Sequence, residues 1–259
     1  PTPAQTMKLI HPIANRLGLH VRRIDDLTRL MNHAGSDKGW GLRGRHYYTR
    51  VYHRLLRHLR EKPVQFVEIG LLRPDRDSRR SHAGAEGQSS AKAASAPSLL
   101  AWRHYFRNAK ILGFDIDDFS AVQIPGVHIL QGDMSSPTDL LKIKQACPDG
   151  IDVLIDDGSH VSHHQQIAFA ELFPCLNPGA LYIIEDCHWQ DSSLEKKDSL
   201  KTRDLFREFR RTRTLASPFI DPARATEIGS HIADVRFYDS IEPMTDDTED
   251  ALCVIRKKS

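Results

Sequence analysis

The chain has 259 residues, 27% charged and 40% apolar, which suits a soluble α/β domain with a short attachment. Its formal net charge of +2 comes from interspersed residues of both signs, giving no case for a nucleic-acid or membrane partner. Four scattered cysteines without a CxxC pair argue against a zinc knuckle and for a reducing compartment, and no apolar run reaches the roughly 18 residues that span a bilayer. A cytoplasmic location without a secretory leader is expected.

Residues 1–62 are predicted to form a helical cap segment, in which SDKGWGLRGRHYYTRVYHRLL (residues 36–56) is a glycine-rich turn entering a helix. The arginine-rich RLLRHLR and REFRRTR read as solvated helix faces. From about Gln65, short apolar runs alternate with amphipathic ones. VQFVEIG is a buried strand closed by Gly70, and SLLAWRHYF is a helix with Leu99, Trp102 and Phe106 on one face and Ser98 as a cap. AKILGFDID and VHILQGD are strands, SPTDLLKIKQA is a helix capped by Ser136, and IDVLIDD is a fourth strand. VSHHQQIAFAELFPCL is a helix stopped by NPG at residues 177–179, and ALYIIED is a fifth strand. Such alternation means a parallel sheet with helices on both faces.

After a charged helix near residues 200–212, two strand-like runs, ADVRFYDSI and LCVIRK, have no helix between them and should pair as an antiparallel hairpin at the sheet edge. The expected fold is therefore α/β and Rossmann-like, of the class I methyltransferase type, over residues 63–259. Residues 71–97, rich in Arg, Ser, Ala and Gly, are expected to be a long inserted loop acting as a mobile lid.

Ligands of open parallel sheets bind beyond the carboxyl ends of the strands. Acids crowd that rim here: Glu68, Asp115, Asp117, Asp133, Asp156, Asp157, Glu185 and Asp186. Single acids there often start turns or cap helices, but a whole set of them repels itself unless a cation or a hydroxyl-rich ligand compensates. Glu68, Asp115 and Asp133 follow the strands that take a nucleoside in doubly wound folds, and Asp115 suits a ribose diol. Asp157, Glu185 and Asp186 suit a hard divalent ion such as magnesium, with Asp156 completing its strand end and orienting its neighbours. His160 follows Asp157 in DDGSH across Gly158, placing a neutral imidazole where a general base is useful. His163 and His164 read as first-turn helix residues, and His188 is a weaker candidate than His160.

FVEIG, SLLAWRHYF, AKILGFDID, QGDMSSP, IDVLIDDGSHVSHHQ, LFPCLNPGALYIIED and the upstream SDKGW…YYTRVYHRLL together resemble the metal-dependent sugar O-methyltransferases of macrolide biosynthesis, the mycinamicin/macrocin type. Those are class I S-adenosylmethionine (SAM) enzymes, and the likeness covers about residues 35–190. The resemblance implies magnesium at Asp157, Glu185 and Asp186 and a base at His160. It also implies SAM contacts at Glu68, Gly70, Asp115 and Asp133, and at Tyr48 and the SDKG turn. Asp156 and Ser98 are counted with the cofactor-binding set, Ser98 because a small residue restores a close backbone approach at the helix N-terminus. The inserted loop is the departure from the family pattern.

The expected activity is SAM- and Mg²⁺-dependent O-methylation of a small natural-product molecule, a glycosylated metabolite presenting a sugar vicinal diol, as in antibiotic biosynthesis. The alternative is a SAM-binding protein without methyl transfer, acting as a structural or regulatory partner. A nicotinamide-dependent oxidoreductase is disfavoured because no GxGxxG follows the first strand. Homo-oligomer formation is left open.

Overall fold

The computed structural model describes residues 24–40, 46–71, 95–190, 193–196, 199–240 and 248–259. Seven strands form one sheet: β1 (Gln65–Ile69), β2 (Lys110–Asp115), β3 (Val127–Gln131), β4 (Ile151–Asp156), β5 (Leu176–Ile184), β6 (Ile232–Tyr238) and β7 (Leu252–Lys257), in the order β3-β2-β1-β4-β5-β7-β6. The first five run parallel, whereas β7 lies antiparallel to both β5 and β6. The terminal pair therefore does form a hairpin, with β7 rather than β6 against the parallel strands. The order reverses direction between β1 and β4, which opens a crevice at their carboxyl ends.

Successive residues of the inner strands are buried on opposite faces, which explains why apolar residues stand next to one another in them, as in Phe66–Val67, Ile111–Leu112 and Val153–Ile155. Val67, Leu112, Leu154 and Tyr182 face one core, shared with helices α4 (Pro137–Ala146), α5 (Ser162–Leu172), α6 (Thr202–Thr212) and α7 (Pro222–His231). Phe66, Ile111, Val153 and Ile183 face the other, shared with α1 (Asp26–Ala34), α2 (Thr49–Leu56) and α3 (Pro97–Tyr105). The described residues before position 63 thus bury their apolar face, Leu27, Met31, Val51, Tyr52 and Leu56, directly in the second core.

Local signals explain most boundaries. Asp25 caps α1 by accepting from the Thr28 N–H at 2.8 Å, and Gly35 closes it in the left-handed region at φ 87°. Ser136 caps α4 as expected, accepting from the Asp139 N–H. Ser98 does not cap α3: Ala96 holds that position, Pro97 begins the helix, and the Ser98 hydroxyl is turned inward. Nor does NPG stop α5, which already ends at Leu172; Asn177, Pro178 and Gly179 lie inside β5, beside a register shift in its pairing with β4. Helix α7 was not among the predicted elements, although Asp221 caps it and Pro222 starts it. The inserted loop and its proposed lid role fall almost wholly on residues 72–94, outside the described residues.

Trp102 sits at the centre of the second core, fully buried, with the rings of Phe66, Tyr52 and Phe106 at 4.9, 5.5 and 5.8 Å. Trp102→Ala is expected to cost about 3–5 kcal/mol, the usual range for emptying a buried aromatic site. A shift of the denaturation midpoint at constant slope measures it; a loss under about 1 kcal/mol would mean that the core collapses into the space.

Candidate active site

The carboxyl ends of β1 and β4 are pressed together. Gly70 has φ +84°, and its N–H donates to the Phe114 carbonyl at 2.9 Å. A Cβ on Gly70 would lie 2.0 Å from the Asp157 carbonyl oxygen, so only glycine fits. The Asp157 N–H in turn donates to the Ile69 carbonyl at 2.8 Å. This contact sets the floor of the crevice.

On the β1–β3 side, Asp115 accepts the N–H groups of Leu71 and Asp117 at 2.6 and 2.7 Å, one on each carboxylate oxygen. Asp115 is thus oriented by the backbone at the end of β2. Asp133 accepts from the Ser135 N–H at 2.7 Å and sits half-buried at the next strand end. Glu68 is different: it is wholly buried, its Oε2 accepting from the Ser98 hydroxyl at 2.8 Å. Burial pushes its carboxyl up to about 7, against the opposing influence of Lys38 and Ser98. Glu68 and Ser98 therefore form a layer beneath the crevice.

On the β4–β5 side the acids divide. Asp156 is fully buried under the rim, where Tyr182 donates to its Oδ2 at 3.2 Å. Burial raises it to about 7 despite hydrogen bonds from Gly158 and Tyr182. Asp157, partly exposed, is bonded by the Lys38 ammonium. Glu185 accepts from Lys38 Nζ at 2.8 Å and from the Tyr52 hydroxyl at 2.6 Å, both on Oε1. Burial, and then the Asp157 charge, push the Glu185 carboxyl well up. Asp186, in the left-handed region at φ 53°, accepts from the Tyr48 hydroxyl at 2.6 Å. Burial disfavours the Asp186 carboxylate, yet the imidazoles of His160 and His46 with the Tyr48 hydroxyl hold its pKa below the usual range. Burial and the Asp186 charge raise the Tyr48 phenol, so it remains a donor.

Asp157, Asp186 and His160 converge: one ligand atom from each lies within 4.8 Å of the others. His160 Nε2 is 3.9 Å from Asp186 Oδ2, while its Nδ1 is buried without a hydrogen-bond partner among the described residues. The residue carrying positive φ in this turn is His160 itself, at 57°, not Gly158, whose lack of a side chain instead leaves room for the Met134 sulfur. Trp189 meets the His160 ring edge-on at 5.6 Å and is 48% exposed, giving the mouth an apolar wall. His164 bonds the Ser159 hydroxyl at 2.9 Å and His163 packs on Phe219, both as helix-start residues away from the cluster.

Of the residues predicted from sequence, Asp157, Asp186 and His160 are brought together, with Gly70 beneath them. Glu185 lies beside them but turns toward Lys38 and Tyr52, and Tyr48 turns toward Asp186. Sequence reasoning missed Lys38, Tyr52, His46 and Trp189. Lys38 carried a faint signal, as the one cation in the SDKG turn, but a lysine in a polar turn gives no local indication of burial.

No family model matches the chain. A rhamnosyl tetracenomycin-C 2'-O-methyltransferase of Streptomyces olivaceus is 39% identical over 165 residues, 64% of this chain and 38% of that protein. Demethylmacrocin O-methyltransferase of Streptomyces fradiae is 32% identical over 161 residues, 62% of this chain and 36% of that one. The matched region thus spans well under half the length of these relatives. Among solved structures, the methyltransferase MycE of the mycinamycin pathway, in complex with Mg and S-adenosylhomocysteine (SAH), superposes with a TM-score of 0.63 at 26% identity, covering 91% of this chain and 54% of that one. The complex that also holds mycinamycin VI gives a TM-score of 0.66 at 24% identity, over 91% and 55% of the two chains. The fold is that of class I methyltransferases, and over the matched region the resemblance to macrolide-type sugar O-methyltransferases read from the sequence stands.

Proposed function

We propose that this relative of the sugar O-methyltransferases transfers the methyl group of SAM to a sugar hydroxyl of a glycosylated small molecule, with Mg²⁺ as its metal. The observation that carries the reading is the convergence of Asp157, Asp186 and His160 within 4.8 Å, at the switch point of the sheet and beside the Gly70–Asp115 side of the crevice. The four cysteines are free, three of them buried, which fits a cytoplasmic protein. Among the described residues no helix is long and apolar enough to cross a membrane.

The residues fit a hard divalent ion. Asp157 and Asp186 supply carboxylate oxygens, with the His160 ring nitrogen, close enough together to share one hard ion. Asp157 and Asp186 would hold the ion, with the Glu185 carboxylate next to them. When bound, the ion would polarise an acceptor hydroxyl and offset the charge that develops on it. Asp115, held by two backbone N–H groups, would bind the SAM ribose, with Asp133 at the adjoining strand end. Gly70, packed against the Asp157 backbone, would form the floor beneath the methionine portion. His160 would take the proton of the acceptor hydroxyl as the new O–CH₃ bond forms, while the pair of the broken S–CH₃ bond stays on sulfur. Tyr48 holds Asp186 in place for this, and Trp189 keeps bulk water from one side of the imidazole.

The direct test is calorimetry with SAH in the presence of Mg²⁺, followed by mass-spectrometric methylation assays on glycosides of small molecules. Heat with SAH and a gain of one methyl on the sugar are expected, with turnover abolished by EDTA and restored by Mg²⁺. Binding of NADH in place of SAH would overturn the reading; SAH binding without transfer to any such acceptor would favour a non-catalytic SAM-binding role. The acceptor is further proposed to carry two neighbouring hydroxyls, one methylated and one anchoring. A deoxy analogue lacking the unmethylated hydroxyl should then react at least about tenfold more slowly, the effect of losing one good polar contact; equal rates would rule out the diol requirement.

A further inference from the structure

Among the described residues, Lys38 is the most deeply buried cation at the rim, 2% exposed. Its turn is fixed from both sides: Gly35 closes α1, the Lys38 N–H donates to the Ser36 hydroxyl at 3.3 Å, and the Thr49 N–H donates to the Lys38 carbonyl at 3.2 Å. The side chain then crosses to the sheet. Its ammonium meets one carboxylate from each of three adjacent strand ends: Glu68 Oε1 at 3.4 Å, Glu185 Oε1 at 2.8 Å and Asp157. The ammonium donates hydrogen bonds to Asp157 and Glu185, while Glu68 Oε1 stands at ion-pair distance without one.

Asp157 consequently has two suitors. It belongs to the cluster with Asp186 and His160 that fits a divalent ion, and it is also bonded to Lys38. We infer that Lys38 is a positioning residue, an internal counter-cation that competes with the divalent ion for Asp157 and Glu185, keeping the rim folded when the ion is away and the ion exchangeable when it is present. This rests on the metal-site reading above. Two cations that compensate the same carboxylates oppose each other reciprocally, so removing one must strengthen the binding of the other. A lysine serving only as a packing element would show no such coupling.

The test compares the parent chain with Lys38→Met and Lys38→Gln by titration calorimetry with MgCl₂ and MnCl₂, and by thermal melting in EDTA and in excess Mg²⁺. Both variants are expected to bind the ion about tenfold or more tightly than the parent, because one positive charge beside it is gone. In EDTA they should melt well below the parent, and added ion should raise their melting temperature by more than it raises the parent's. Unchanged or weaker ion affinity in both variants would overturn the inference. Failure of both to fold even in excess ion would also overturn it, since the ion would then be unable to stand in for the ammonium. If the parent protein binds no divalent ion, the metal-site reading falls instead, which separates the two failures.

Discussion

His160→Ala is expected to lower turnover by about 10²–10⁴-fold, the range for losing a general base, while leaving SAH affinity near that of the parent. The imidazole stands 3.9 Å from Asp186, in the one cluster among the described residues that combines carboxylates with a ring nitrogen. Its backbone is left-handed, φ 57°, a conformation unusual for a histidine and costly for alanine, so some stability loss accompanies the substitution. His160→Asn separates the two effects, because asparagine tolerates that conformation but cannot act as a base near neutral pH. Asn should restore the melting temperature toward the parent and leave turnover as low as Ala does. If Asn instead restores most of the activity, His160 only shapes the turn, and the base must be sought elsewhere.

Gly70→Val should cost more than about 4 kcal/mol, an exceptional loss for one substitution. Two causes add. A β-branched residue at φ +84° is a genuine backbone outlier, and its Cβ would stand 2.0 Å from the Asp157 carbonyl oxygen, against backbone that cannot swing aside. Relief requires the ends of β1 and β4 to part, which carries Asp157 away from Asp186 and His160. Folded material, where obtained, should therefore bind neither SAH nor Mg²⁺ measurably. Gly179→Ala provides the comparison: its φ is +77°, but the nearest atom to a Cβ is the Ser259 hydroxyl at 3.6 Å. It should lose only the roughly 1–2 kcal/mol of the left-handed backbone and keep ligand binding. Equal losses at the two sites, read from denaturant midpoints, would show that the β1–β4 contact carries no special cost.

The strand–helix alternation, and with it the class I methyltransferase fold, was legible because patterning is local. Phe66 with Val67 and Val153 to Ile155 must be apolar on both faces to lie between two helical layers, and that demand is written in consecutive residues. The acids at the strand ends were legible for the same reason, as were Gly70 and the DDGSH turn with its histidine. Helix α7 escaped because a short helix with little apolar content is defined by its cap at Asp221 rather than by its periodicity.

What only the tertiary structure decided is how those acids are shared out. Sequence spacing cannot distinguish Glu185 from Asp186, adjacent in the chain and alike in charge. In the fold one turns to Lys38 and Tyr52, and the other to Tyr48 and His160. Nor could it tell that Asp156 and Glu68 lie beneath the rim, where burial drives both carboxyls up to about 7. Residues 119 and 147 positions apart meet at the Lys38 ammonium. Electrostatic compensation depends on distance in space, and the packing of α1 and α2 on the sheet sets that distance. Chain order alone therefore named the carboxylates, while the fold determined which cation each one meets.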